Sequence, residues 1–244
     1  MVNSRNAFLA LAGFGGAALL PAVAHAGDFS GTRVGVSADY LWGKVAPSGF
    51  TGAGDAPLKG YDVESGGGGV SISHDWQSNK AVFGVFASAT FTSAKGSTSQ
   101  ALTVTNNTPS SNDEESRIQP VSEAEGTTIE HHGFDTDLSA LYLVGGRAGM
   151  VVNDNTLLYV QAAAASGRLK IRETGDNASA SSNRNRSGYA VGVGMEVQLN
   201  DKWSAGVAWN HYDLGKASFS PSAYGDGKIG VHGDVAEVSL KYRF

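Results

Sequence analysis

The chain has 244 residues, no cysteine, and 18 basic against 23 acidic side chains, a formal net charge of −5. Without cysteine there is no disulfide framework and no thiolate metal site. A mildly acidic chain without a basic block also lacks the electrostatic footprint of a nucleic-acid binder.

In chain order, the first segment reads MVNSRNAFLALAGFGGAALLPAVAHAGDF. Arg5 supplies a positive start, Ala7 to Leu20 an apolar run, Pro21 a break, and Ala24-His25-Ala26 a small-x-small cleavage site. This is the pattern of a secretory signal peptide, expected to occupy residues 1–26 and to leave 27–244 as one exported domain. The apolar run is shorter than the roughly 20 residues of a spanning helix. Gly13, Gly15 and Ala18 mimic a dinucleotide fingerprint, but no strand precedes them and cleavage discards them. Losing Arg5 takes the charge to about −6. Past this leader no run is apolar for long enough to span as a helix, so any membrane span must be a strand.

Eight strand-like segments follow. Thr32 to Gly43 alternates Val34, Val36, Ala38, Tyr40 and Trp42 against Arg33, Gly35, Ser37 and Asp39. Then come Gly67 to Trp76, Ala81 to Thr92, Leu138 to Val151, Leu157 to Lys170, Tyr189 to Leu199, Trp203 to Leu214 and Asp234 to Phe244. Most show a period of two and are punctuated by Gly, Asn, Asp and Ser, as strands and turns require. The connectors are of two kinds. Gln77–Lys80, Asn153–Thr156 and Asn200–Lys202 are tight. Lys44–Gly66, Ser93–Asp137, Ile171–Gly188 and Gly215–Gly233 are long. Short turns on one rim, long connections on the other and an even strand number predict an all-β fold: an eight-stranded antiparallel up-and-down transmembrane barrel.

The two faces of each segment sharpen that expectation. In the sixth, Tyr189, Val191, Val193, Met195, Val197 and Leu199 oppose Ala190, Gly192, Gly194, Glu196 and Gln198. In the fourth, Arg147 shares the parity of Gly145 and Gly149. A cation on the lipid face at mid-bilayer costs about 2–4 kcal/mol, so the charged parity is assigned to the lumen: Arg147, Glu196, Gln198, Glu237, Lys241 and Arg243. The lumen is expected to be narrow, polar and hydrated, lined by small residues. Its charges either line a small ion path or pair with one another; burial favours pairing. Eight strands leave an interior that side chains fill, so a general diffusion pore is not expected. Tyr40 and Trp42 towards the long-connection rim, with Trp76 and Trp203 towards the short-turn rim, are the expected aromatic girdle. The last strand puts Val238, Leu240, Tyr242 and Phe244 on one face.

The connector Ser93–Asp137 carries Asp113, Glu114, Glu115, Glu123, Glu125, Glu130, His131 and His132. Its polarity predicts a solvated segment; His131 and His132 could ligate a metal, but no site is assigned and no cofactor is expected. His211, Asp213 and Ser218 are the nearest approach to a catalytic group. His211 falls on the outward parity, no G-x-S-x-G occurs, and an enzyme is not expected.

The run Val238-x-Leu240-x-Tyr242-x-Phe244 resembles the sorting signal read by the outer-membrane barrel assembly machinery. GGGVSISHDWQ, VFGVFASATF, RAGMVVNDNTLLYVQAA, GVGMEVQLNDKWSAGVAWNHYDLG and VSLKYRF resemble successive segments of the eight-stranded, porin-like outer-membrane β-barrel family. Phe29-Ser30-Gly31-Thr32-Arg33 only weakly echoes that family's usual start. The resemblance implies a Gram-negative outer-membrane location and a monomeric barrel. Its partners would be membrane lipid and lipopolysaccharide, with the assembly machinery and periplasmic chaperones during biogenesis. The expected role is structural, maintaining the envelope and presenting external loops. Some barrels of the family are associated with haem. A surface binder of haem or a host molecule through the second long connection is therefore the alternative, with a narrow ion-conducting porin as a third reading.

Overall fold

The computed structural model describes residues 27–48, 60–105, 127–175, 179–219 and 227–244. The leader, with Ala24 and Ala26, lies outside them, as do 106–126 of the second long connection.

Eight strands run in sequence order: β1 (Gly31–Ser48), β2 (Tyr61–Ser78), β3 (Ala81–Thr105), β4 (Thr127–Asn153), β5 (Thr156–Gly175), β6 (Ser179–Gln198), β7 (Trp203–Phe219) and β8 (Gly227–Arg243). Each pairs antiparallel with the next, and β8 returns to β1, closing the barrel. Closure leaves the spanning ladder no unpaired edge, the condition for a backbone to cross lipid. At the seam Val34 faces Tyr242 and Ala38 faces Val238, and the Phe244 N–H donates to the Thr32 carbonyl at 3.1 Å.

Six of the eight expected segments fall within their strands, while Leu199 and Phe244 lie one residue past the ends of β6 and β8; otherwise the strands run further, by up to 13 residues at the end of β3 (Ala81–Thr105 against an expected end at Thr92). Much of Ser93–Asp137 is therefore hairpin rather than loop, paired as far as Thr105 with Thr127. The alternation searched for in the sequence ends where the lipid ends. Above the membrane a ladder needs no apolar face, so its composition carries no strand signal.

The short-turn end is held by local chemistry. Asn79 adopts a left-handed conformation (φ 54°) between β2 and β3, which asparagine tolerates better than other non-glycine residues. Asn200 Oδ1 accepts from the backbone N–H groups of Lys202 and Trp203 at 2.9 and 3.0 Å, an Asx-type turn between β6 and β7.

Outward, Val36, Val70, Phe83, Val85, Val144, Val160 and Val193 form a belt, each at least half exposed. Inward, the lumen departs from the expected small, hydrated lining. Its long-connection half is packed with Leu41, Val45, Val63, Leu138, Leu141, Leu143, Leu169, Tyr212, Leu214 and Val235, among others. A second apolar group, Phe29, Val82, Val151, Leu157 and Tyr159, fills the short-turn mouth. Part of the reason is a bulge on β4 between Leu138 and Ala140. It inserts one residue and exchanges the faces of the strand. Leu141, Leu143 and Arg147 turn inward on one side of it, Thr136 and Leu138 on the other.

Candidate functional site

Between the two apolar groups lies a layer to which every strand contributes. Arg33 comes from β1, Asp75 from β2, Arg147 from β4, Tyr159 from β5, Glu196 from β6, Ser204 from β7 and Lys241 from β8, while β3 supplies Gly84. The inward parity of each strand brings these side chains to one level, where shear staggers their positions in the chain.

The charges are buried and interlocked. Arg147 donates to Asp75 through Nε at 2.8 Å and Nη2 at 2.6 Å, a bidentate fork, and through Nη1 to Glu196 Oε2 at 3.1 Å. Arg33 Nη1 donates to Asp75 Oδ2 at 3.0 Å and to the Phe29 carbonyl at 2.6 Å; its Nε is 3.5 Å from Glu196 Oε1. Lys241 Nζ donates to Glu196 Oε2 at 2.9 Å, and the Ser204 hydroxyl to Oε1 at 2.8 Å. The Tyr159 ring closes the layer beneath, with the Arg147 guanidinium 4.9 Å and the Lys241 ammonium 5.9 Å from its centroid. Asp75 and Glu196 are both wholly buried.

Two glycines make the layer possible. A Cβ on Gly84 would lie 2.0 Å from Asp75 Oδ1, and one on Gly194 would lie 2.4 Å from the Tyr159 ring. Three cations and two carboxylates pair across the lumen, with only Arg33 Nη2 of this layer left without a hydrogen-bond partner among the described residues. Charges paired this tightly are expensive to separate and poor at passing an ion between them.

Of the residues assigned to the lumen from sequence, Arg147, Glu196 and Lys241 come together. Gln198 and Arg243 do not: both lie at the short-turn mouth, bonding the Asp28 carbonyl. Asp28 lies outside the spanning ladder. Desolvation pushes its carboxyl up, but hydrogen bonds from Ser30 and the charge of Arg243 outweigh this and hold it below its ordinary value. Glu237 faces inward one level higher, across from Asp39. The Ser37 hydroxyl donates to Asp39 Oδ2 at 3.1 Å, and Asp39 Oδ1 has no partner among the described residues.

Arg33 and Asp75 were missed as lumen charges. Their signal was present: Arg33 shares the parity of Gly35 and Ser37, and Asp75 that of Ser71 and Ser73. Outside the barrel, Trp76, Trp203 and Phe244 are exposed at the short-turn end, with Tyr242 edge-on to both Trp203 and Phe244. Tyr40 and Trp42 lie 5.8 Å apart near the other rim. Val238 and Leu240 face the belt. His211 is also outward, 3.1 Å from Asp234. His131 and His132 lie on the β4 backbone, and no group of three or more potential metal ligands occurs among the described residues.

An apolar exterior and a closed antiparallel ladder define a transmembrane β-barrel. The chain belongs to the family described as outer membrane protein beta-barrel domain, whose model matches residues 7–244. It is 26% identical over 229 residues to the 31 kDa outer-membrane immunogenic protein of Brucella melitensis, spanning 89% of this chain and 84% of that one. The outer membrane protein OprG of Pseudomonas aeruginosa aligns at a TM-score of 0.53 and 15% identity over 88% of this chain and 96% of that one, a likeness of fold. The outer membrane protease OmpT of Escherichia coli, at 8% identity and a TM-score of 0.49 over 88% and 97% of the two chains, is too remote to carry an argument. The protein is thus an outer-membrane barrel of a Gram-negative envelope.

Proposed function

We propose that this protein is a structural barrel of the cell surface, monomeric and non-enzymatic, which stabilises the envelope and presents its long connections outside. The observation that carries this reading is the stopped lumen. Apolar side chains fill the barrel on both sides of the Arg33–Asp75–Arg147–Glu196–Lys241 layer. This supports a scaffold over a conducting pore. The relatives in Brucella are named immunogenic outer-membrane proteins, which supports surface exposure of the connections.

In planar bilayers the purified barrel is expected to give no unitary conductance steps. Ohmic channels that disappear with the Arg147→Met substitution would reverse the reading. Protease applied to intact cells is expected to cut within Ser93–Asp137 and to spare the strands below. Protection there until the outer membrane is permeabilised would place the connections in the periplasm.

A second reading is favoured by the length of the β3–β4 hairpin. At 25 and 27 residues these are the longest strands, and they project beyond their neighbours. Their tip suits a surface binder of haem or a host molecule. Shortening 106–126 should abolish such binding while leaving barrel assembly intact.

A further inference from the structure

Above the ionic layer, at the seam that closes the barrel, Ser37-x-Asp39 on β1 runs against Glu237-x-Ser239 on β8. Ser37 faces Ser239 and Asp39 faces Glu237, all four on the inward parity. Residues directly opposed in an antiparallel pair hold their Cβ atoms about 5 Å apart, so four oxygen-bearing side chains share one patch of the inner wall. Glycines on the flanking strands leave the patch clear. A Cβ on Gly69 of β2 would lie 2.5 Å from Ser37 Oγ and 2.8 Å from Asp39 Oδ2, and one on Gly206 of β7 would lie 3.0 Å from Ser239 Oγ.

The two carboxylates of the patch have no countercharge of their own. Asp39 is 6% exposed; the Ser37 hydroxyl donates to its Oδ2, and its Oδ1 has no partner among the described residues. No cation among the described residues lies within 4.0 Å of Asp39 or Glu237. Lys241, the next inward residue along β8, is bonded to Glu196 instead. Across the two levels Arg33, Arg147 and Lys241 stand against Asp75, Glu196, Asp39 and Glu237, three positive charges against four negative. Opposed carboxylates in a closed interior keep both charges only at a high cost unless a cation joins them. Glu237 is only half-buried although it faces the lumen, so space remains beside it.

We propose that this seam patch is a binding site for one small monovalent cation of sodium size, held between the Asp39 and Glu237 carboxylates with the Ser37 and Ser239 hydroxyl oxygens beside it. The donor set is all oxygen, without histidine or sulfur, which suits a hard s-block ion rather than a transition metal. The shortfall of a single charge selects a monovalent ion over a divalent one. A proton shared by the carboxylates would restore the charge but use neither the hydroxyls nor the space the glycines leave. Because the donors come equally from β1 and β8, the ion ties the first strand to the last, and its binding is linked to closure of the barrel. The site goes beyond the scaffold role and does not depend on it.

The test is urea unfolding of the purified barrel in phosphatidylcholine vesicles, in sodium chloride and in choline chloride at equal concentration and neutral pH. Sodium is expected to lower the unfolding equilibrium constant about tenfold, as for an ion present at ten times its dissociation constant. Asp39→Asn and, separately, Glu237→Gln should remove the difference between the two salts while heat-modifiable migration stays normal. Asp62→Asn, an exposed carboxylate on β2, should keep it. Should neither lumen variant fold, sodium NMR relaxation on the folded wild type decides: broadening that excess lithium reverses upholds the site, and its absence overturns it. Equal stability in the two salts overturns the proposal, as does a sodium effect that persists in Asp39→Asn. A larger effect of calcium chloride at equal ionic strength would make the ion divalent and defeat the charge count. Stabilisation by mild acid with no response to sodium would give the place to a proton.

Discussion

Arg147 is the residue on which the lumen layer turns, because it alone touches both buried carboxylates through direct hydrogen bonds while its ring neighbour Tyr159 covers it. Replacing it with Met leaves Asp75 and Glu196 short of a cation in a closed interior. Stranding a buried charge in this way costs about 3–5 kcal/mol, to be read from the urea midpoint of the folded, heat-modifiable species. Adding Asp75→Leu should recover much of the loss, since removing both partners is far milder than removing one. Gly84→Ala tests the same layer from the opposite side. The new methyl would meet Asp75 Oδ1 at 2.0 Å and push it off the Arg147 fork. The expected cost is about 1–3 kcal/mol, on the same urea assay. Asp28 gives a pH signature at the short-turn mouth. Its folded-state value is depressed, so its contribution is present above the ordinary carboxylate range and is lost as pH falls through and below it. Asp28→Asn should flatten that acid limb of the stability profile.

At the scale of the strand, face decides tolerance. Val160 on β5 is 59% exposed in the middle of the apolar belt, so its side chain stands in acyl chain. Val160→Lys should destabilise the inserted barrel by about 2–4 kcal/mol, whereas Ser166→Lys on the same face, at the headgroup level, should cost much less; equal costs would show the belt to be misplaced. The last strand carries the closure. Phe244 contributes its N–H to Thr32 and its ring to Tyr242, and removing it should reduce assembled barrel in the membrane fraction at native expression. The strands were legible because lipid on one side imposes an apolar parity over the spanning half of each. Their outward ends were not, because water on both sides imposes none. The β4 bulge was illegible for another reason: one inserted residue between Leu138 and Ala140 has no composition of its own, and only pairing against β3 and β5 reveals it.

For the whole molecule, the ladder provides closure and the lumen provides the stop. A barrel of eight strands encloses a space that side chains can fill, and here three zones fill it: apolar at each end and ionic between. This arrangement supports the proposed scaffold role.

Some properties were determined by the sequence alone. The number of strands, their order, the division between short turns and long connections, and the lipid-facing parity all follow from local alternation, which is a property of neighbours along the chain. Arg147, Glu196 and Lys241 could likewise be assigned inward from parity. Only the tertiary structure decided that these three meet Arg33 and Asp75 in one layer while Gln198 and Arg243 do not. Their level across the barrel depends on the register between strands far apart in sequence, which parity leaves open. The apolar filling of the lumen was decided there too. Leu41, Leu138, Leu141, Leu169 and Leu214 fall in expected strands, and they become a plug only where strands far apart in sequence converge on one axis.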